Sequence, residues 1–107
     1  MGDEMAGVSQ AFQAFLKEAP RHSSAWMAAV QALDGANALD RKTSALSYLA
    51  VLAALRLDSG VPFHVRIAKH AGASREEVIS ALLIGLPAAG HGVTQSLPPA
   101  IEAYDSA

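Results

Sequence analysis

The chain has 107 residues, of which 51% are apolar and only 17% charged, with a formal net charge of -2 and four histidines. This length predicts a single domain, residues 1–107, with one core. The weak negative charge argues against nucleic acid or an anionic membrane as the main partner. The sequence contains no cysteine, which excludes disulfides, thiolate metal sites and thiol catalysis. Its apolar fraction exceeds what a small globule can hide and therefore predicts a homo-oligomer.

The sequence also gives an expectation for localisation. The first ten residues, MGDEMAGVSQ, lack the basic segment and apolar run of a signal peptide. The most apolar window, Ala45–Leu55, is too short to span a bilayer and has charged residues on both sides. We therefore expect a cytoplasmic protein without a membrane partner.

Two amphipathic helices are predicted at the start of the chain. Residues 5–18 carry apolar side chains at helical spacing, and Pro20 is expected to end that helix. Ser23 or Ser24 is expected to cap the second helix. Trp26 lies early in this second helix, and we expect it to be a core anchor.

The third predicted helix is the most apolar element of the chain. Asp40 is expected to cap it, and its sequence ALSYLAVLAAL is apolar on nearly every side. Such a helix is typical of a central position, where other helices or a neighbouring subunit enclose it.

The next helix carries the histidine of greatest interest. After a break at Leu57–Gly60, Pro62 is expected to be its first residue and Gly72 to close it. At about 100° per residue, His64 falls on an apolar face that we expect to point towards the core. The residues that share this face are Ile67, Ala68 and Ala71.

The remaining segment is also predicted to be helical. Ser74 to Glu77 form a capping box ahead of an apolar stripe, and Pro87 is expected to end that helix. Gly90 to Gly92 are expected to form a turn, followed by a last helix over 93–104 that is kinked or restarted at its two prolines. No alternating pattern of β-branched residues is present. The sequence therefore predicts an all-α fold.

His64 is the one residue with a specific chemical hypothesis, and two interpretations stay open. It is either a buried histidine bonded to a carbonyl or hydroxyl group, which the residues alone favour, or a general acid/base in an apolar pocket. His70 lies more than a right angle away around the helix, so we expect no metal site shared by the two.

One part of the sequence resembles a known family. The motifs Leu39-Asp40-x-Lys42-Thr43 and His64-Val65-x-x-Ala68-x-x-x-Gly72-Ala73-Ser74-x-Glu76-Glu77, separated by an apolar helix, resemble the carboxymuconolactone decarboxylase family over residues 39–90. That superfamily also contains the alkylhydroperoxidase AhpD. The resemblance implies an AhpD-like bundle of about five to six helices, assembled as a homo-oligomeric ring, either a trimer or a hexamer.

The same resemblance implies a reaction. The redox branch depends on four residues: the two cysteines of a Cys-x-x-Cys motif, a histidine and a glutamate. By the resemblance, the cysteines would fall on Leu57 and Gly60 and the glutamate on Ala45, so only the histidine, His64, is present. Thiol peroxidase activity is therefore not expected. The decarboxylase branch lacks the cysteines and keeps the histidine. It implies decarboxylation or a related proton transfer on a small lactone or carboxylic acid, without cofactor or metal, with His64 as the catalytic residue.

Substrate binding is assigned only by position in the chain. The carboxylates of such a substrate need cations or hydrogen-bond donors, and the candidates are Arg56, His91 and Tyr48. The alternative is a redox-dead, non-catalytic relative with a binding or structural role, in which His64 supports the fold.

Overall fold

The computed structural model describes residues 8–106, and every regular element in that range is helical. The elements are α1 (Gln10–Glu18), α2 (Pro20–Ala36), α3 (Arg41–Ala54), a 3-10 turn (Asp58–Gly60), α4 (Val61–His70), α5 (Arg75–Leu83), α6 (Leu86–Ala89), a second 3-10 helix (His91–Ser96) and α7 (Leu97–Ser106). This confirms the all-α fold class.

The predicted caps of α3 and α5 are present. The carboxylate of Asp40 accepts a hydrogen bond from the backbone N–H of Thr43 at 2.7 Å, and this bond holds the pKa of Asp40 below its ordinary value. Ser74 and Glu77 form both halves of a capping box, with side chain to backbone distances of 3.0 and 2.9 Å. These two helices therefore begin where the local sequence predicts.

α1 ends at Glu18, as predicted, but the start of α2 was predicted wrongly. Pro20 is the first residue of α2, because its fixed φ suits that position and its missing N–H would be unbonded there anyway. Neither Ser23 nor Ser24 is a cap. Ser23 lies inside the helix, where its hydroxyl donates to the carbonyl of Pro20 at 3.2 Å.

Other predicted boundaries also shift. α1 begins at Gln10, and the part of that prediction before residue 8 lies outside the described residues. α5 ends at Leu83, so Pro87 lies inside the short helix α6 and does not terminate α5. The last helix begins at Leu97 with its two prolines in the first turn, where they remove no intrahelical hydrogen bond.

The core lies between α3, α4, α5 and α7. α3 packs against α4, α5 and the second 3-10 helix, but these elements do not enclose it as predicted, because Tyr48 and Val51 on its outer side are exposed. The fully or almost fully buried side chains are Leu49, Ala53, Val61, Val65, Ala68, Val78, Leu82, Val93 and Ala100.

Polar contacts fasten α7 to the helices beside it. The hydroxyl of Tyr104 donates to the carbonyl of Ala73 at 2.8 Å. The ammonium of Lys69 donates to the carbonyl of Tyr104 at 2.8 Å and lies 4.5 Å from the centre of its ring. Arg75 forms an exposed ion pair with Asp105 at 2.9 Å, a kind of contact that adds little to stability because solvent screens it.

The helices α1 and α2 form a hairpin that packs mainly on itself. The rings of Phe12 and Phe15 lie 6.1 Å apart on α1. Trp26 is 54% exposed and Leu33, on the same face of α2, is 71% exposed. The expectation that Trp26 anchors the core is therefore wrong, because no described part of the chain covers this face.

Candidate active site

His64 lies in the first turn of α4, at the edge of the core. The 3-10 turn and Pro62 direct the chain into this helix. The buried face of α4 consists of Val61, Val65 and Ala68. Ile67, on the other side of His64, is 42% exposed, so the expectation that the whole His64 face points inward is wrong. His64 is half-buried between these two faces.

Two aromatic rings surround the imidazole. The ring of Tyr48, from α3, lies 4.5 Å from that of His64, centre to centre, at an angle of 47°. The ring of Phe63 lies 5.3 Å away, edge to face, at 88°. Such pairs stabilise a fixed ring orientation by about 0.5–1.5 kcal/mol. The imidazole is thus held by flat apolar surfaces.

The imidazole nitrogens of His64 have no hydrogen-bond partner within residues 8–106. In that same range, Oδ1 of Asp58 is the one buried side-chain nitrogen or oxygen without a partner. The nitrogens of His64 are therefore open to solvent or ligand. This is not the histidine bonded to a carbonyl or hydroxyl group that the residues alone favoured.

Burial lowers the pKa of His64 below its ordinary value of 6.5, because the charged imidazolium is poorly solvated there. Burial is the one cause of this shift, so no charged side chain acts noticeably on the ring. His64 is therefore mainly neutral at pH 7, with one nitrogen able to accept a proton and the other able to donate one.

Arg56 lies at the end of α3, in contact with the second 3-10 helix. The N–H of Arg56 donates to the carbonyl of Ala53 at 3.2 Å, and the N–H of Leu57 donates to the carbonyl of Leu52 at 2.9 Å. Together these bonds form a Schellman motif, which places Arg56 in the left-handed region at φ 61°. A Cβ at Gly92 would overlap the guanidinium of Arg56. Only glycine at that position lets the cation lie against the backbone.

The structure brings together two of the four predicted site residues and leaves the other two without a contact to them. Tyr48 contacts His64, while Arg56 lies against Gly92, the neighbour of the exposed residue His91. Among the described residues, no ring contact or hydrogen bond joins one pair to the other.

The surface beside His64 is apolar and open. We call Tyr48, Val51 and Leu55 the α3 stripe, because they follow one another along the outer side of α3. Tyr48 is 49% exposed and Leu55 is 62% exposed. The structure has a surface groove between α1 and α2 and another between α3 and α5, and His64 lines neither.

Asp58 is a residue that the sequence reasoning passed over. It lies in the 3-10 turn that leads to α4, and its unpartnered buried oxygen is costly to keep in a folded protein. Its isolation in the sequence could have drawn attention to it, because Asp58 is the only acidic residue between Asp40 and Glu76.

The comparisons with known proteins give one result. A family model described as the carboxymuconolactone decarboxylase family (CMD) matches residues 20–102. The chain belongs to this family. The matched region begins with the first residue of α2 and extends into α7, so it includes the whole helical core. Comparisons with curated proteins and with solved structures gave no match.

The helical core agrees with an AhpD-like bundle of the carboxymuconolactone decarboxylase family. The sequence contains no cysteine, so this family member lacks the Cys-x-x-Cys motif. The thiolate on which a thiol peroxidase depends is thus missing.

Among residues 8–106, no three His, Asp or Glu side chains lie close enough together to hold a metal ion. In the same part of the chain, no helix has the length and apolar character to cross a membrane.

Proposed function

We propose that this chain is a cofactor-free enzyme in which His64 acts as general acid and base on a small lactone or carboxylic acid. The observation that supports this proposal is the state of the imidazole. It contacts the rings of Tyr48 and Phe63, it is mainly neutral, and its nitrogens have no hydrogen-bond partner in the described chain. A histidine that only supports a fold normally has its ring nitrogens bonded.

The proposed reaction uses His64 to move one proton. In a decarboxylation, the bond between carbon and the carboxylate breaks, carbon dioxide leaves, and the electron pair stays behind as an enolate. Neutral His64 first takes the proton of the substrate's carboxylic acid group; after carbon dioxide has left, the imidazolium so formed gives that proton to the carbon and returns to the neutral form. Because burial lowers the pKa of His64, its protonated form is a stronger acid than free imidazole.

The neighbours of His64 suggest how a substrate is held. Tyr48 and Phe63 offer apolar surfaces, and the hydroxyl of Tyr48 can donate a hydrogen bond. Arg56 and His91 are proposed to bind the far carboxylate of a substrate that extends towards Gly92.

The test is the turnover of His64→Gln on a panel of small lactones and carboxylic acids, with release of carbon dioxide as the readout. His70→Gln is the matched control, because His70 is exposed on the same helix. We expect turnover to fall by roughly 10²–10⁴-fold in the first variant and to be unchanged in the second. Equal turnover in His64→Gln and the unchanged protein would refute the proposal.

The alternative proposal is a non-catalytic member of the family that binds a small molecule or a partner. One observation favours it: no cation acts on the pKa of His64, although the reaction of a carboxylate would benefit from one. Absence of turnover on the whole panel, in a protein that still binds one of these acids, would support this alternative.

A further inference from the structure

Arg56 occupies a position where helices commonly end in glycine. Its φ of 61° lies in the left-handed region, and among residues 8–106 it is the one residue other than glycine with a positive φ. The Schellman motif at the end of α3 requires this conformation, which a residue with a side chain adopts at a cost in free energy. A glycine would avoid that cost but would leave this place without a cation. The side chain of Arg56 is therefore the feature that needs an explanation.

Gly92, against which the guanidinium lies, is not required by its own backbone. Within residues 8–106, the glycines with positive φ are Gly72 and Gly90, and Gly92 lies inside the second 3-10 helix, where alanine fits as well. A Cβ at Gly92 would overlap Cζ, Nε and Nη2 of Arg56, its three nearest atoms. The missing side chain therefore serves to leave room for the guanidinium.

The backbone around Gly92 is fixed by the core. The second 3-10 helix packs against α3, and Val93, the residue after Gly92, is fully buried. The hydroxyl of Ser96, also fully buried, donates to the carbonyl of Val93 at 2.6 Å. The hydroxyl of Thr94 donates to the carbonyl of His91 at 2.7 Å. The guanidinium thus extends from one anchored piece of backbone, the end of α3, to lie on another.

The donors of this guanidinium are free to bind a ligand. Among residues 8–106, the side chain of Arg56 forms neither an ion pair nor a hydrogen bond, and Arg56 is exposed. A guanidinium presents its N–H groups as a planar fork that matches the two oxygens of a carboxylate. A fork that is already held in place loses less conformational entropy on binding than a mobile side chain does.

We propose that Gly92 is a positioning residue, whose missing side chain keeps the guanidinium of Arg56 preorganised to bind a carboxylate. The assignment of Arg56 to substrate binding rests on the proposed function, whereas the role of Gly92 is additional to it. Gly92 then acts on the affinity for the acid and not on proton transfer at His64, because no described ring contact or hydrogen bond joins Arg56 to His64.

Gly92→Ala tests the proposal because it should separate binding from stability. The new methyl group overlaps first with the end of a flexible side chain, which can move away. Alanine also favours a helical backbone more than glycine does. The melting temperature should therefore stay the same or rise. If Gly92 served only the packing of the fold, the melting temperature would fall.

Binding is measured with benzoate, a small carboxylate, and with the neutral benzamide as the matched probe. The signals of the Arg56 Nε–H and of the Val93 backbone N–H are followed by NMR in isotope-labelled protein. We expect benzoate to shift these signals and benzamide to leave them unchanged. Gly92→Ala should raise the dissociation constant of benzoate by roughly three- to tenfold, and Arg56→Ala should raise it by more than about tenfold, as read from the Val93 signal.

Two control variants make the result specific. Gly35→Ala adds a methyl group in open space on α2 and should leave the dissociation constant unchanged. Arg56→Ala combined with Gly92→Ala should bind benzoate no more weakly than Arg56→Ala alone, because no guanidinium is left to displace. The proposal is overturned by a further loss in the double variant, by equal affinity of Gly92→Ala and the unchanged protein, by a fall in the melting temperature of Gly92→Ala, or by no binding of benzoate at all.

The positioning role and the enzyme can fail separately. Binding of benzoate that depends on Gly92, in a protein without His64-dependent turnover, would leave the positioning role standing and refute the enzyme. His64-dependent turnover with the same KM in Gly92→Ala as in the unchanged protein would leave the enzyme standing and refute the positioning role.

Discussion

The contact between Tyr48 and His64 allows a quantitative test of the site. Tyr48→Ala removes the ring that lies 4.5 Å from the imidazole, whereas Tyr48→Phe keeps the ring and removes only the hydroxyl. The two variants therefore separate the effect of ring packing from that of the phenol group.

The expected loss of stability follows from the burial of the ring. Tyr48 is 49% exposed, so about 100 Å² of a side chain of roughly 200 Å² is covered in the single chain. At about 25 cal/mol per Å², removal of the ring lowers the free energy of unfolding by about 2.5 kcal/mol. Tyr48→Phe should change it by less than about 1 kcal/mol. Urea unfolding, followed by circular dichroism, measures both.

The same variants should move the pKa of His64 in different ways. Burial is the one cause that lowers this pKa, so Tyr48→Ala lets water reach the imidazole and raises the pKa towards 6.5. Tyr48→Phe should leave it low. The titration of the ring C–H signals of the four histidines by NMR gives the values, with His64→Gln to assign the signal.

The sign of the pH dependence follows from this shift. Because the folded protein holds the pKa of His64 below its unfolded value, the unfolded chain binds the proton more readily. The stability due to neutral His64 is complete above about pH 6.5 and is lost as the pH falls through the folded pKa. Tyr48→Ala should weaken this loss. An unchanged pKa of His64 in Tyr48→Ala would refute the account of the site.

Two further predictions concern the fold. Leu82 is fully buried, so Leu82→Ala should lower the free energy of unfolding, measured in urea, by about 2–5 kcal/mol. Ile84 is 72% exposed, so Ile84→Ala should lower it by less than about 1 kcal/mol. Similar losses in the two variants would contradict the assigned core. Ser74→Ala removes half of the capping box and should lower the free energy of unfolding by about 1 kcal/mol, and with it the melting temperature. The control is Ser80→Ala, at an exposed position inside the same helix, which should have little effect on the melting temperature.

Much of the helical architecture could be predicted because its signals are local. Asp40 and Ser74 cap their helices through bonds to residues three positions away, and such bonds depend on little beyond the adjacent sequence. The end of α1 before Pro20 was predicted, but the start of α2 at Pro20 was missed, because proline both ends one helix and suits the first position of the next. The choice between these roles depends on where the following chain leads.

The site could be predicted only in part. The family motif pointed to His64, and the spacing of residues along α4 placed it beside the apolar face. Spacing alone could not show that Ile67 is exposed and that His64 therefore lies at the edge of the core. The contact of Arg56 with Gly92 joins residues 36 positions apart, and no local pattern predicts such a pair.

The sequence by itself determined the all-α class and the absence of thiol chemistry, because periodicity, capping and composition act over a few residues or over the whole chain. Only the tertiary structure decided that Tyr48 holds His64 and that the outer sides of α2 and α3 stay uncovered. Both results depend on how whole helices are rotated and packed against one another, and that packing is set by the sum of many contacts distant in sequence.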